Sequence, residues 1–283
     1  MPEMPEVETI RRGLVDTVLN KRVAEIKVLK ASSFRNEADP RMACSVITDI
    51  KRYGKMLVIE LENEFSLVTH LMMTGQLIIR ENEVTLFSGG HPTRSLISAL
   101  PDKSTKVIFA FNNSKLFFND ERGFGYVKLL ETKNVAELDF IKKLGPEPPN
   151  DIDVFLQRIR KHKIMIKPAL LNQSIIAGLG NIYVDETLFL SKVHPKSLTG
   201  NLNHTLLTNI YLNADKVMQL SIKHGGSTWR NYLNVQQEMG DFLNVANVYQ
   251  KHGSPCKNCG AKIQKIRIAN RGTHFCQNCQ VLY

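Results

Sequence analysis

Four of the five cysteines stand in a pattern that binds metal. Cys256 and Cys259, then Cys276 and Cys279, read C-x2-C, sixteen residues, C-x2-C. Each pair suits a tight turn. Two such turns set four thiolates around one tetrahedral Zn²⁺ and leave no position for water, so the ion is structural. Two disulfides are the alternative, and they need an oxidising compartment. The opening MPEMPEVETIRRG has early acids and no apolar signal core, so reduced thiols are expected. Between the pairs, AKIQKIRIANRGTHF reads as two short strands joined by an Asn-Arg-Gly turn, a zinc ribbon or β-hairpin finger. Cys44 is alone in an apolar stretch and reads as a buried core thiol.

Charge points to the same end of the chain. Lys and Arg number 37 against 27 Asp and Glu, net +10. Residues 1–150 are near neutral, whereas residues 250–283 carry six basic side chains and no acid. Four thiolates and one Zn²⁺ together remove about two of those charges, and the module stays basic. Such a segment favours a polyanion through counterion release; a solvated tail without a partner is the alternative. Hydrophobic residues at 43% and charged residues at 23% exclude wholesale disorder. No apolar run approaches the roughly 20 residues that span a bilayer. A soluble intracellular protein without a membrane partner is expected.

The elements that must position these groups change character along the chain. Residues 4–18 read as a helix, with Pro5 in its first turn and Val7, Ile10, Leu14 and Val18 on one face. Strand-like runs follow at 22–29, 56–61, 65–70, 76–80, 106–111, 115–119 and 126–130, which suggests a β-sandwich or barrel. Residues 87–104 read as a long loop. KLGPEPPN at 143–150 is a proline-rich linker. Helical periodicity then appears at 151–162, 167–173, 182–192 and 203–224, interrupted by the glycine-rich turn at 177–181. The expected class is α+β: a β-sandwich with a leading helix, a helical domain and a β-hairpin zinc module. The boundaries are placed at 1–133, 134–150 (linker), 151–249 and 250–283.

Three motifs in this order, PEMPEVETIRRGL, AGLGNIYVDE and RGTHFCQNCQ, resemble the formamidopyrimidine-DNA glycosylase family over residues 2–283. Met4, followed by VETIRRGL, is closer to its oxidised-purine branch than to the endonuclease VIII branch. The resemblance implies a helix-two-turn-helix domain at 151–249 and one structural Zn²⁺ on the four cysteines. It also implies a monomer acting on double-stranded DNA with oxidised bases or abasic sites, in the bacterial cytoplasm at the nucleoid. The activity implied is that of a glycosylase and AP lyase. A glycosylase for oxidised pyrimidines and a catalytically silent lesion-binding clamp are the rivals.

The resemblance also implies roles. Pro2, once Met1 is removed, is the nucleophile. A secondary amine that attacks a sugar C1′ gives an iminium ion directly, an electron sink for later elimination. Glu3 beside it is the general acid/base. Lys55, in the match RYGKMLVIEL at 52–61, contacts a phosphate beside the lesion and can supply a proton. An extruded base leaves a hole that apolar wedges fill. Met73 and Phe124 match the wedges, and Arg122 matches the arginine that faces the orphan cytosine. Core packing is the alternative for Phe124. His70, Asn181 and Arg271 match phosphate-gripping positions, with Arg271, on the hairpin turn, also in the implied catalytic set; Lys167 and Tyr249 are further phosphate contacts. Residues 225–232 match a loop that closes over the base. The chain departs from the family at Gly123, where a basic residue is usual, and at Met72, where glycine is usual. It departs again at Ser104-Thr105-Lys106 in place of His-Asp-His, at Gln250-Lys251 in place of Gly-Arg, and in a longer 87–104 loop.

Overall fold

The computed structural model describes residues 2–91, 95, 98–227 and 240–283. The chain forms two compact units, one of residues 1–142 with 224–241 and one of residues 143–223 with 242–283.

The first unit opens with α1 (Met4–Val18), then β1 (Glu25–Val28), β2 (Phe34–Asn36), β3 (Ile47–Tyr53), β4 (Met56–Leu61) and β5 (Phe65–His70). β6 (Gly75–Glu81), β7 (Val84–Gly90), β8 (Thr105–Ala110), β9 (Lys115–Asp120), β10 (Tyr126–Glu131) and the short α2 (Asp139–Lys143) follow. The strands make two five-stranded sheets, ordered β1-β8-β9-β6-β7 and β2-β10-β5-β4-β3. All pairings are antiparallel except that of β2 with β10. Leu57, Ile59 and Leu67 of one sheet share a core with Leu77, Phe109 and Phe118 of the other, and Val7, Ile10 and Leu14 of α1 join it. On the alternate face of β4, Met56 and Val58 pack with Val68, Leu130 and Val135, and Phe140 and Ile141 of α2 lie against them. Period-2 alternation therefore buries both faces of β4.

Three strands are absent from the sequence reading: β2, β3 and β7. β2 has only three residues, and β3 carries its charges on an exposed edge. β7 ends Ser88-Gly89-Gly90, so the expected loop at 87–104 begins after it. Those glycines read as a loop, but packing requires them. A Cβ on Gly89 would lie 2.3 Å from Ile10, and one on Gly13 would lie 2.1 Å from the Phe87 ring. Small residues on both partners let α1 sit directly on the sheet. Cys44 is half-buried, not a core thiol, because the 3₁₀ turn before it runs along the surface.

The second unit contains α3 (Ile152–Ile159), α4 (Ile166–Leu171), α5 (Asn181–Leu190), α6 (His204–Lys223), α7 (Phe242–Val245), and the hairpin β11 (Gln264–Ile268) with β12 (Arg271–Phe275). The hairpin turn is Ala269-Asn270, both at positive φ (45° and 61°), the geometry of a type I′ turn. The expected Asn-Arg-Gly turn is corrected accordingly. Arg271 pairs with Ile268 as the first residue of β12, because a two-residue loop matches strand twist better than three.

Gly13→Ala is expected to destabilise the protein by about 1–3 kcal/mol through overpacking against Phe87. Urea unfolding measures it, and an unchanged midpoint would mean that α1 is not packed as described.

Candidate active site and nucleic-acid interface

In the first unit the chain start is held by its own helix. Pro2 and Glu3 are buried. Glu3 is the N-cap of α1 and forms a reciprocal capping box with Glu6, whose carboxylate accepts the Glu3 N–H at 2.8 Å. The other Glu6 oxygen accepts the N–H and the hydroxyl of Ser227, each at 2.8 Å. The beginning of the loop expected at 225–232 is thus tied to the first turn of α1; its residues 228–232 lie outside the described residues.

One turn further on, Glu8 is 8% exposed and receives Arg11, Arg12 and Arg52 at 2.8–3.1 Å. Burial pushes its pKa up, but the three guanidinium hydrogen bonds outweigh that and hold it at about 2. Arg52 also donates to the Gly54 carbonyl at 2.8 Å. Gly54, at φ 56°, and Lys55 form the turn from β3 into β4, so one guanidinium joins α1 to the turn carrying Lys55.

Lys55 is buried, and its charge is felt by His70 at the end of β5. Burial, and then Lys55, lower the His70 pKa to about 4. His70 Nδ1 accepts the Met72 N–H at 3.0 Å. The imidazole is therefore neutral at physiological pH with its proton on Nε2, a hydrogen-bond donor that carries no charge.

Met73 follows, 36% exposed, on a loop that Met72 enters at φ 52°. Met72 thus adopts the left-handed conformation that glycine takes without steric cost. Phe124 is 53% exposed, so core packing does not account for it. The Arg122 guanidinium stands 5.0 Å from its ring centre. A buried carboxylate organises this loop: Asp120 accepts the Arg122 N–H at 3.2 Å and the Gly125 N–H at 2.6 Å, and also bonds the Thr74 hydroxyl. Thr74 in turn accepts the Arg122 N–H at 3.1 Å. The segments bearing Met73 and Phe124 are therefore pinned at a common base. Asp120 and Thr74 were not singled out in the sequence; the only signal for Asp120 was its place two residues before Arg122.

In the second unit, Asn181 begins α5 and donates to the Gly272 carbonyl at 3.0 Å. Lys167 requires a correction. Its ammonium is fully buried on Asp185 at 2.6 Å and on the Gly272 carbonyl at 3.1 Å, so it cannot meet a surface phosphate in this conformation. Asp185 also accepts the His274 N–H at 2.8 Å. Lys167 therefore acts on the hairpin that presents the exposed Arg271. Tyr249 is half-buried, its ring edge-on to His274 at 5.2 Å. Its N–H, like those of Asn247 and Val248, goes to the buried Glu186.

The four cysteine sulfurs lie within 4.8 Å of one another, with Cys259–Cys276 at 3.5 Å and Cys256–Cys279 at 3.9 Å. A tetrahedron of 2.3 Å Zn–S bonds has edges of roughly 3.8 Å. Each pair sits on a turn closed by the first cysteine's carbonyl, which accepts from Gly260 in one and Gln280 in the other. Four thiol donors at these separations fit a structural Zn²⁺.

Comparison with known proteins supports the same parts. Family models described as the formamidopyrimidine-DNA glycosylase N-terminal domain and H2TH domain match residues 1–127 and 144–232. A zinc finger found in FPG and IleRS matches residues 253–281. The formamidopyrimidine-DNA glycosylase of Ligilactobacillus salivarius is 36% identical over 289 residues, covering 100% of this chain and 99% of its own. That of Latilactobacillus sakei is 37% identical, covering 99% and 98%. The chain belongs to the formamidopyrimidine-DNA glycosylase family. Solved structures agree with this membership. A Lactococcus lactis FPG mutant bound to Fapy-dG-containing DNA has a TM-score of 0.85 at 34% identity over 99% of both chains. The Lactococcus lactis Fpg complex with abasic-site DNA scores 0.85 at 34% identity, covering 98% of this chain and 99% of that one. The family's order of sandwich, helix-two-turn-helix and zinc finger is the order found here.

The low pKa of Glu8 makes it a stabiliser above its ordinary value of 4.5, with the contribution lost as pH falls from 4.5 toward 2. Glu8→Gln is expected to lower the unfolding free energy at pH 7 by on the order of 3 kcal/mol. Its deficit relative to the parent should close over that acid range in pH-resolved urea unfolding. A gap independent of pH would show that the carboxylate is not the organising charge.

Proposed function

We propose that this protein excises oxidised purines, such as 8-oxoguanine and formamidopyrimidines, from duplex DNA. It then cuts the strand at the abasic site, as a bifunctional glycosylase/AP lyase of base excision repair. Its relatives carry the name formamidopyrimidine-DNA glycosylase, and the similar Lactococcus lactis structures hold Fapy-dG or abasic DNA. The observation that carries the reading is the shared guanidinium of Arg52, which makes the chain start and the Lys55 turn one frame.

On this reading Pro2, freed of Met1, uses its nitrogen lone pair to form a bond to C1′. The C1′–N9 bond breaks, and its electrons leave with the base. Glu3 supplies a proton to O4′ as the sugar ring opens, and the product is an iminium ion. Loss of a C2′ proton to this electron sink expels the 3′ phosphate. A second elimination expels the 5′ phosphate and leaves a one-nucleotide gap. Lys55 holds the phosphate beside the lesion, and neutral His70 donates to another. Met73 and Phe124 fill the vacated stack while Arg122 donates to the orphan cytosine. Asn181, Arg271 and Tyr249 grip the backbone, Lys167 steadies that grip from within, and Zn²⁺ holds the hairpin. The reading assigns catalysis to residues 1–133, a linker to 134–150, and DNA binding to 151–249 and the finger at 250–283. It places the protein at the bacterial nucleoid.

Cleavage assays on 8-oxoguanine·C and thymine-glycol duplexes test this reading. The oxidised purine is expected to be cut about tenfold faster or more. A reversed preference would assign oxidised pyrimidines instead. Tight binding without cleavage of either would leave a silent clamp.

A further inference from the structure

The loop between Arg122 and Phe124 contains a side-chain vacancy, and a cation from another strand stands beside it. Gly123, at φ 71°, has no side chain. A Cβ built there would lie 2.8 Å from Lys30 Nζ and 4.0 Å from Lys30 Cε, and among the described residues beyond Arg122 and Phe124 nothing else comes within 4 Å. Lys30 follows β1 and is anchored by its N–H to the Lys106 carbonyl at 3.2 Å. Its side chain is exposed, and among the described residues its ammonium has no carboxylate or hydrogen-bond acceptor.

A second observation concerns the neighbouring charges. Lys106 is buried and donates to the Lys103 carbonyl at 3.0 Å. Its pKa is lowered by burial and then by the charge of Lys30, so the two ammonium groups repel. Asp120 and Asp102 act on Lys106 in the opposite sense but are committed elsewhere: Asp120 to Thr74, Arg122 and Gly125, Asp102 to Ser95, Ser98 and Ser104. Two like charges held together, one of them without a partner, form a place where an anion is stabilised. It adjoins Phe124, which is 53% exposed and whose proposed task is to enter a duplex. A duplex entered there brings phosphates to the loop.

We propose that Lys30, two residues past β1, is a DNA-phosphate contact that reaches the space beside the side-chain-free Gly123. The inference rests on the DNA-processing reading above. A lysine on a flexible stem acts as a point charge, so it grips a phosphate and does not read a base. Lys30 should therefore contribute to affinity and not to the choice of opposite base.

The test is the salt dependence of binding to a duplex that contains a tetrahydrofuran abasic analogue, measured from 50 to 200 mM salt. Lys30→Ala is expected to reduce the magnitude of the log–log slope by about one. Lys30→Arg, which keeps the charge, should retain the slope. Lys133→Ala serves as a control, because Lys133 is occupied by Glu131 at 2.7 Å, and its slope should equal the parent's. An unchanged slope in folded Lys30→Ala would overturn the proposal. So would a slope lost equally in Lys30→Arg. Cleavage of an 8-oxoguanine duplex by the parent, run alongside, reports on the enzymatic reading separately. Absent cleavage with a Lys30-dependent slope would remove the enzyme and keep the contact.

Discussion

A buried carboxylate surrounded by three guanidinium groups fixes the start of this chain. Termini are ordinarily the least restrained part of a domain. On the proposed mechanism the terminus has the most demanding task, because a nucleophile misplaced by an ångström loses much of its rate. Glu8 meets the requirement by recruiting Arg52, which also holds the Gly54 carbonyl, so that α1 and the Lys55 turn cannot shift independently. The glycines on the facing surfaces let the helix lie directly on the sheet. Glu6 then extends the same helix turn to Ser227. Each of these ties lies within four turns of Pro2, and each costs burial of polar atoms that only its partners offset.

The proposed interface uses charge selectively. His70 stays neutral because it is buried beside Lys55, so it offers direction without adding another cation. Asp120 spends its carboxylate on backbone N–H groups and leaves Arg122 and Phe124 exposed. In the second unit Asp185 and Lys167 neutralise one another in the interior, and the hairpin they hold presents Arg271 outward. Buried carboxylates set geometry in both units, and Arg122 and Arg271 remain outward in the proposed interface.

Much of this was readable from residues. Cysteine spacing gave the zinc module, and apolar periodicity located α1 and α3–α6 to within a few residues. β7 was hidden because its glycines follow from contact with α1, a tertiary fact that no local window contains. The hairpin turn was misread because Ala269 is an unusual residue for positive φ. Lys167 was matched to a phosphate contact through the resemblance alone. Its buried partner, Asp185, lies eighteen residues away and leaves no mark in the local sequence. Glu8 shows only its i,i+3 and i,i+4 spacing to Arg11 and Arg12, whereas its tie to Arg52 and the tie of Asp185 to Lys167 join residues distant in sequence and are not legible from spacing.

The central claim is that the nitrogen of Pro2 makes the covalent bond. Borohydride reduction of the protein with a lesion duplex, followed by nuclease and protease digestion and mass mapping, tests it most directly. The account predicts a sugar-derived adduct on a peptide that begins at Pro2, and none on the peptide that contains Lys55. An adduct on Lys55, or a captured complex whose first residue is still Met1, would contradict it.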